Sequence, residues 1–163
     1  MAFVGEKTGS KNGNICCNFG WWKGERLWPA SRPGRPKPFL PLGGGGRSLL
    51  RATYERVLPV VGESQVFVVV DREHASLVQT ELGLAEENII IEPQGKNTAP
   101  AIGLAAAILQ TRDHESVMIV LPSDHLIGEE DRFRQALRIA IETANSGYLV
   151  TFGIIPTYPA SSY

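Results

Sequence analysis

Apolar runs of two kinds alternate along the chain from residue 48 onward. Short, continuously apolar runs are typical of buried strands, whereas apolar residues that recur every three or four positions are typical of helices. Polar and glycine- or proline-containing stretches separate the runs. The pattern predicts helices that begin near Ser48, Asp71, Thr98 and Glu129, and strands over residues 65–70, 88–92, 116–121 and 148–153.

Capping and breaking residues set the expected ends of these helices. Ser48 can cap the first helix, which we expect Pro59 to stop at about Leu58. Gly83 ends the second helix and Gly147 follows the fourth, as expected for residues that adopt left-handed backbone conformations. Thr98 can cap the third helix, whose first turn accommodates a proline. That helix is predicted to carry its apolar face on Ile102, Ala105, Ala106 and Leu109.

The alternation of strands and helices predicts an α/β fold. Because the strands are apolar throughout, both faces of the sheet should be covered, which favours a mostly parallel, Rossmann-like sheet with flanking helices. Residues 14–19 can supply a further strand. Ligands of such sheets bind beyond the carboxyl ends of the strands. Three polar loops follow predicted strands, and we expect them at one edge of the sheet: residues 20–29, 92–101 and 121–125.

Charge is distributed unevenly, although the formal net charge is only −1. The first 47 residues contain 8 of the 16 basic residues and 2 of the 17 acidic ones. Two interpretations stay open for this segment: a poorly packed leader, above all over residues 1–13, and a basic loop that meets an anion such as phosphate. The overall balance argues against a chain that coats nucleic acid.

Hydrophobic residues make up 43% of the chain, enough for a core and too many for global disorder. The longest apolar run, residues 101–109, is far shorter than the roughly 20 residues that span a membrane. The two cysteines, Cys16 and Cys17, are adjacent, which suits a reduced, cytoplasmic protein better than a disulfide scaffold. We therefore expect a cytoplasmic protein without membrane or nucleic-acid partners.

Each polar loop allows a functional and an ordinary structural interpretation. Asp124 can hold a divalent cation or simply cap a turn. Asn97 and Thr98 can contact a ligand at a helix start or form an ordinary capped turn. In the first loop and shortly after it, Gly24, Arg26 and Lys37 can cradle phosphate or remain solvated. The sequence contains no G-x-G-x-x-G motif, no Walker A motif and no recognisable nucleophilic triad.

Taken together, the loops resemble a known family. The matching segments are GERLWPASRPGRPKPFLPL (24–42), SLLRATYERV (48–57), EPQGKNTAPAIGLAA (92–106), VLPSDH (120–125) and VTFGIIPTYP (150–159). They are similar to the N-terminal part of the mannose-1-phosphate guanylyltransferases, a branch of the sugar-phosphate nucleotidyltransferases. The combination of EP-x-G-[KR]-NTAPA with LPSDH distinguishes this branch from others that share only a glycine loop and the aspartate.

This resemblance implies an enzyme that makes GDP-mannose and pyrophosphate from GTP and mannose 1-phosphate. It implies catalytic roles at phosphate for Arg26 and Lys37, and a Mg²⁺ ligand in Asp124, with a second acidic ligand in a C-terminal part beyond this chain. The nucleotide-binding residues that it implies are Gly24, Glu92, Pro93, Gly95, Asn97, Thr98, Ala99 and Ser123. Whether the full-length protein forms a homo-oligomer stays open.

The sequence also departs from the family. Trp21 and Trp22 stand where the family has the glycines that let the backbone wrap phosphates, and residues 1–22 do not resemble the family. We therefore expect an atypical leader over residues 1–22 and the nucleotide-binding half of a catalytic domain over residues 23–163. An inactive fragment is the expected product. The alternatives are another sugar-phosphate nucleotidyltransferase and a non-catalytic remnant that keeps only the fold.

Overall fold

A computed structural model describes residues 15–19, 27–32 and 34–156 of the chain. The predictions for Trp21, Trp22, Gly24 and Arg26, and those for residues 1–14 of the expected leader, lie outside the described residues.

The described strands form one parallel sheet in the order β3-β2-β1-β4. The strand suggested for residues 14–19 is present as β1 and occupies the interior of the sheet, between β2 and β4. All pairings are parallel, which confirms the predicted Rossmann-like α/β class. The strands are β1 (Ile15–Phe19), β2 (Val66–Asp71), β3 (Ile89–Glu92) and β4 (Met118–Pro122).

Among the described residues, four α-helices cover the two faces of this sheet. They are α1 (Leu49–Val61), α2 (Ala75–Leu82), α3 (Thr98–Gln110) and α4 (Glu130–Ala144). On one face, side chains of α1, α2 and α4 pack with Val66, Val68 and Val70 of β2. On the other face, Ala101, Ala105 and Leu109 of α3 pack with Phe67 and Val69. Successive β2 side chains thus pack into the cores on opposite faces of the sheet. Both faces of the strand are therefore buried, and both carry apolar residues.

Ser48 caps α1 as predicted, and Asp71 caps the short 3-10 turn Arg72–His74 that leads directly into α2. The Oγ atom of Ser48 accepts the backbone N–H of Arg51 at 3.0 Å, and a side-chain oxygen of Asp71 accepts the N–H of His74 at 3.0 Å in the turn before α2. Gly83 and Gly147 have φ values of 72° and 88°. Both residues thus take the positive φ expected of glycines that follow a helix.

Four predictions about these elements were wrong in detail. Pro59 does not stop α1, which continues to Val61. A proline in the last turn removes only one helical hydrogen bond, and the N–H of Gly62 still donates to the Leu58 carbonyl at 2.9 Å. Thr98 is the first residue of α3, and Asn97 is its N-cap.

Residues 148–153 do not form the predicted strand. A strand needs a hydrogen-bonded neighbour as well as a suitable sequence, whereas this segment instead packs Phe152 beside Phe133 of α4, with ring centroids 6.3 Å apart. On α3, Ala106 was predicted to be buried but is exposed. Ala101, which was not predicted to lie on the apolar face, is buried there. No helix in the described part of the chain is long and apolar enough to cross a membrane.

Candidate functional site at the carboxyl edge of the sheet

The strand register brings the polar loops to one edge of the sheet. Phe19 of β1 is paired with Val69 of β2 and with Pro122 of β4. Asp71, two residues beyond Val69, is paired with Glu92 of β3. Because neighbouring strands are about 4.8 Å apart, the outer strands β3 and β4 are separated by roughly 14 Å. A ligand that touches the loops after both strands must therefore be elongated.

Lys37 and Asp124 are in direct contact at the β4 side of this edge. The Nζ atom of Lys37 donates to Oδ2 of Asp124 at 2.8 Å, although the residues are 87 positions apart in sequence. The Asp124 side chain is 10% exposed and the Lys37 side chain 30%. The Nε2 atom of His125 lies 3.9 Å from Oδ1, the other carboxylate oxygen. The structure thus joins two residues that were predicted separately, one for phosphate and one for metal.

The segment around Lys37 is held against the sheet by its neighbours. Pro36 and Pro38 are buried on either side of the lysine, and their rings fix the local backbone. Phe39 stacks on the ring of His74, with centroids 6.5 Å apart. These side chains enclose a small cavity together with Ser123. The Lys37 backbone is therefore anchored, while its side chain keeps the freedom of a long aliphatic stem.

Glu92 lies at the opposite outer strand and is 6% exposed. Loss of hydration raises the pKa of its carboxyl group above the ordinary glutamate range, a hydrogen bond from the backbone N–H of Lys96 lowers it, and the charge of Asp71 raises it again. That hydrogen bond is long, 3.4 Å between nitrogen and Oε1. The chain after Glu92 is exposed from Pro93 to Pro100.

Asn97 has an unusual backbone conformation in this exposed loop. Its φ and ψ angles are 74° and −177°, a combination adopted almost only by glycine. Within the described ranges it is the one non-glycine residue with positive φ. Its side chain makes no cap hydrogen bond to α3. Because strained backbones tend to occur where a ligand is bound, this geometry favours a binding role for the loop.

The residues near Asp124 suit Mg²⁺ in one specific way. Mg²⁺ prefers oxygen ligands and commonly takes one or two carboxylates together with substrate phosphates. The described residues contain no cluster of three or more His, Cys, Asp or Glu side chains that could hold a metal without substrate. Asp124 already neutralises a cationic nitrogen at 2.8 Å. This carboxylate therefore fits a metal that arrives with phosphate oxygens.

The structure thus distributes the predicted site residues in two groups. Lys37, Ser123 and Asp124 lie together at the β4 side, and Ser123 is completely buried. At the same edge, the other group runs from the end of β3 into the start of α3: Glu92, Pro93, Gly95, Asn97, Thr98 and Ala99. Sequence reasoning missed the stacking contact of His74 with Phe39, which helps to hold the Lys37 segment. The two residues are 35 positions apart, so no local pattern could reveal the contact.

This arrangement, a parallel sheet with polar loops beyond its carboxyl ends, is that of an open α/β fold, whose ligands bind at this end of the strands. The nucleotidyl transferase family profile matches residues 22–163. The chain belongs to the nucleotidyl transferase family.

Several bacterial proteins are similar to this chain in sequence. A mannose-1-phosphate guanylyltransferase from Escherichia coli K12 is 46% identical over 145 residues, which cover 86% of this chain and 30% of that protein. The xanthan biosynthesis protein XanB from Xanthomonas campestris pv. campestris is 43% identical over 143 residues, again 86% of this chain and 30% of the relative. The chain therefore spans less than a third of the length of these relatives.

Two crystal structures are similar in fold. A mannose-1-phosphate geranyltransferase from Thermus thermophilus superposes with a TM-score of 0.83 at 35% identity and covers 93% of this chain, which corresponds to 44% of that protein. A mannose-6-phosphate isomerase from Helicobacter pylori gives a TM-score of 0.72 at 29% identity over 93% of this chain and 54% of that protein. Both support the α/β fold with parallel strands and flanking helices.

Proposed function

We propose that this chain forms the nucleotide-binding part of a mannose-1-phosphate guanylyltransferase. Such an enzyme transfers the guanylyl group of GTP to mannose 1-phosphate and releases pyrophosphate. The observation that carries the proposal is the pairing of Lys37 with Asp124 at the edge of the sheet that also presents the exposed 93–100 loop. The identity to guanylyltransferase relatives supports the choice of substrates.

The separation of the two groups of residues suits a nucleoside triphosphate. The base and ribose would lie against residues 93–99 after β3, and the phosphates would extend toward Lys37 and Asp124. Arg26 would add positive charge at the phosphates. A span of roughly 14 Å between the outer strands suits a ligand as long as a nucleoside triphosphate.

The reaction depends on neutralising the charge of the phosphate groups and does not require a covalent enzyme intermediate. An oxygen of the sugar phosphate would form a bond to the α-phosphorus of GTP while the bond to the bridging oxygen of pyrophosphate breaks. Lys37 and Arg26 would hold and neutralise phosphate oxygens, and the protein forms no covalent intermediate. Mg²⁺ held by Asp124 and phosphate oxygens would supply further charge neutralisation when bound.

Nucleotide binding to the 163-residue chain tests the proposal. We expect GTP with Mg²⁺ to raise the melting temperature more than ATP, UTP or dTTP at equal concentration, since bound ligand stabilises the folded state. Lys37→Met should weaken the effect, and Arg138→Met, which removes an exposed charge on α4, should not. A preference for UTP or dTTP would identify a different sugar-phosphate nucleotidyltransferase. Absence of any shift would favour a remnant that keeps only the fold.

Catalysis is a separate question, because the chain spans less than a third of its relatives. We propose that it has little or no transferase activity alone. The assay is pyrophosphate release from GTP, mannose 1-phosphate and Mg²⁺. Turnover similar to that of a full-length relative would contradict this expectation and would place all catalytic groups within the 163 residues.

A further inference from the structure

Asp124 has a cationic partner within the chain itself. The distance of 2.8 Å between Lys37 Nζ and Asp124 Oδ2 is that of a charge-assisted hydrogen bond. Asp124 is the residue that the proposed function assigns to the metal, and Lys37 is the residue that it assigns to phosphate. The two side chains are engaged with each other.

The two side chains differ in their freedom to move. Asp124 has a short side chain, lies two residues after the end of β4 and is only 10% exposed. Lys37 has a long, flexible stem and is 30% exposed, while its backbone is anchored between buried prolines. Exchange of partners is therefore possible by rotation of the lysine side chain alone, without movement of the sheet or of the segment around it.

We propose that Lys37 and a divalent cation compete for Asp124, so that metal binding releases the lysine to the nucleotide phosphates. This inference rests on the proposed function for the identity of the two ligands. The exchange keeps charges matched at each stage: the carboxylate passes from an ammonium group to the metal, and the ammonium passes from the carboxylate to phosphate. Metal and nucleotide then bind with positive coupling, because each stabilises the arrangement that the other needs.

The Lys37–Asp124 ion pair must be weak enough for a metal ion to displace the lysine. A partly exposed ion pair is weak enough to be exchanged, whereas a fully buried one would be costly to break. The contact would nevertheless lower the affinity of the substrate-free chain for free metal. It would thereby disfavour a metal ion that binds without nucleotide.

Metal binding without nucleotide tests the exchange directly. The probe is Mn²⁺, followed by electron paramagnetic resonance and by line broadening of the backbone amide signals of Ser123 and His125. Lys37→Met should bind Mn²⁺ about three- to tenfold more tightly than the wild type, the range expected for loss of a partly exposed ion pair. Lys37→Arg, which keeps the charge, should not tighten binding. Arg32→Met removes an exposed cation five positions before Lys37 in sequence and serves as the matched control.

The tighter Mn²⁺ binding of Lys37→Met must depend on Asp124. Asp124→Asn should abolish the Mn²⁺ signal at this site, and the double variant Lys37→Met/Asp124→Asn should behave like Asp124→Asn alone. Unchanged or weaker Mn²⁺ binding in Lys37→Met, equal tightening in Arg32→Met, or no Mn²⁺ binding in any variant would each overturn the exchange.

A parallel titration with GTP separates this inference from the proposed function. GTP binding without tighter Mn²⁺ binding in Lys37→Met would leave the function standing and reject the exchange. Tighter Mn²⁺ binding without any GTP binding would do the reverse.

Discussion

Asp71 holds His74 through two contacts from the same carboxylate oxygen. The Oδ1 atom lies 3.0 Å from the backbone nitrogen of His74 and 2.6 Å from its ring atom Nδ1. The ring is thereby fixed at the carboxyl end of β2, where Phe39 stacks on it. Phe39 is two residues from Lys37. A cap in the turn before α2 thus positions the segment that delivers the lysine to Asp124.

His74→Ala should therefore disturb both stability and the site. Loss of the stacking contact and of the ring contact to Asp71 should lower the free energy of unfolding by about 1–2 kcal/mol. It should also weaken GTP binding, because the Lys37 segment loses an anchor. Urea denaturation and thermal shift with GTP measure the two effects. His114→Ala, at a histidine side chain that is 75% exposed, is the control; an equal loss there would remove the special role of His74.

Asn97→Gly tests the strained backbone. Glycine adopts the φ and ψ angles of Asn97 without steric cost, so the variant should gain about 1 kcal/mol of stability. Asn97→Ala should not gain, because alanine shares the steric problem. If the side chain contacts the nucleotide, both variants should bind GTP more weakly. Asn145→Gly is the matched control: Asn145 has φ of −58° at the end of α4, so glycine there should not stabilise the chain.

The elements of this fold could largely be predicted because their signals are local. Ser48, Asp71 and Gly83 act within a few residues of their own positions, and apolar periodicity defines the buried faces of α1 and α2. Pro59 misled the prediction because a break in hydrogen bonding costs less near a helix end than in its middle. Residues 148–153 misled it because strand formation depends on a partner strand, which local sequence does not report.

The site could be predicted only in part. Residue types after strand ends indicated Asn97 and Asp124, and the sheet rule placed their loops at one edge. Lys37 was indicated by the basic segment and by the family resemblance. The contact between Lys37 and Asp124 depends on the path of residues 30–47, a segment without regular periodicity. The positive φ of Asn97 is set by the turn into α3. Neither property has a sequence signal that a single chain can show.

The free energy of unfolding should decrease as pH rises, because Glu92 titrates in this range. Because desolvation raises the pKa of this carboxyl group in the folded state, the folded state binds more protons than the unfolded state between the ordinary glutamate pKa and the raised one. The stabilising contribution is therefore full below the ordinary pKa and is lost as pH rises through the folded pKa. Unfolding free energies of wild type and Glu92→Gln, measured by urea from pH 4 to 7, should diverge in favour of the variant. The exposed Glu87→Gln serves as the control, and parallel profiles for wild type and Glu92→Gln would contradict the assignment.

Arg56 joins α1 to α4 and depends on Glu130 for charge compensation. The Arg56 side chain is 3% exposed, and its Nε atom lies 3.9 Å from Oε1 of Glu130. Burial lowers the pKa of the guanidinium group and the charge of Glu130 raises it. Within the described part of the chain, Nε has no hydrogen-bond partner. The guanidinium therefore relies on a carboxylate that is close but not optimally placed.

Glu130→Gln should accordingly destabilise the chain by about 1–2 kcal/mol, less than for a fully buried pair because Glu130 is 32% exposed. Arg56→Met should be milder, since a methionine of similar length removes the buried charge and keeps contact with Phe133. In the double variant Arg56→Met/Glu130→Gln, the loss should be smaller than the sum of the two single losses, because no buried charge remains to be compensated. Urea denaturation of the four proteins completes the cycle, and additive losses would show that Glu130 does not compensate Arg56.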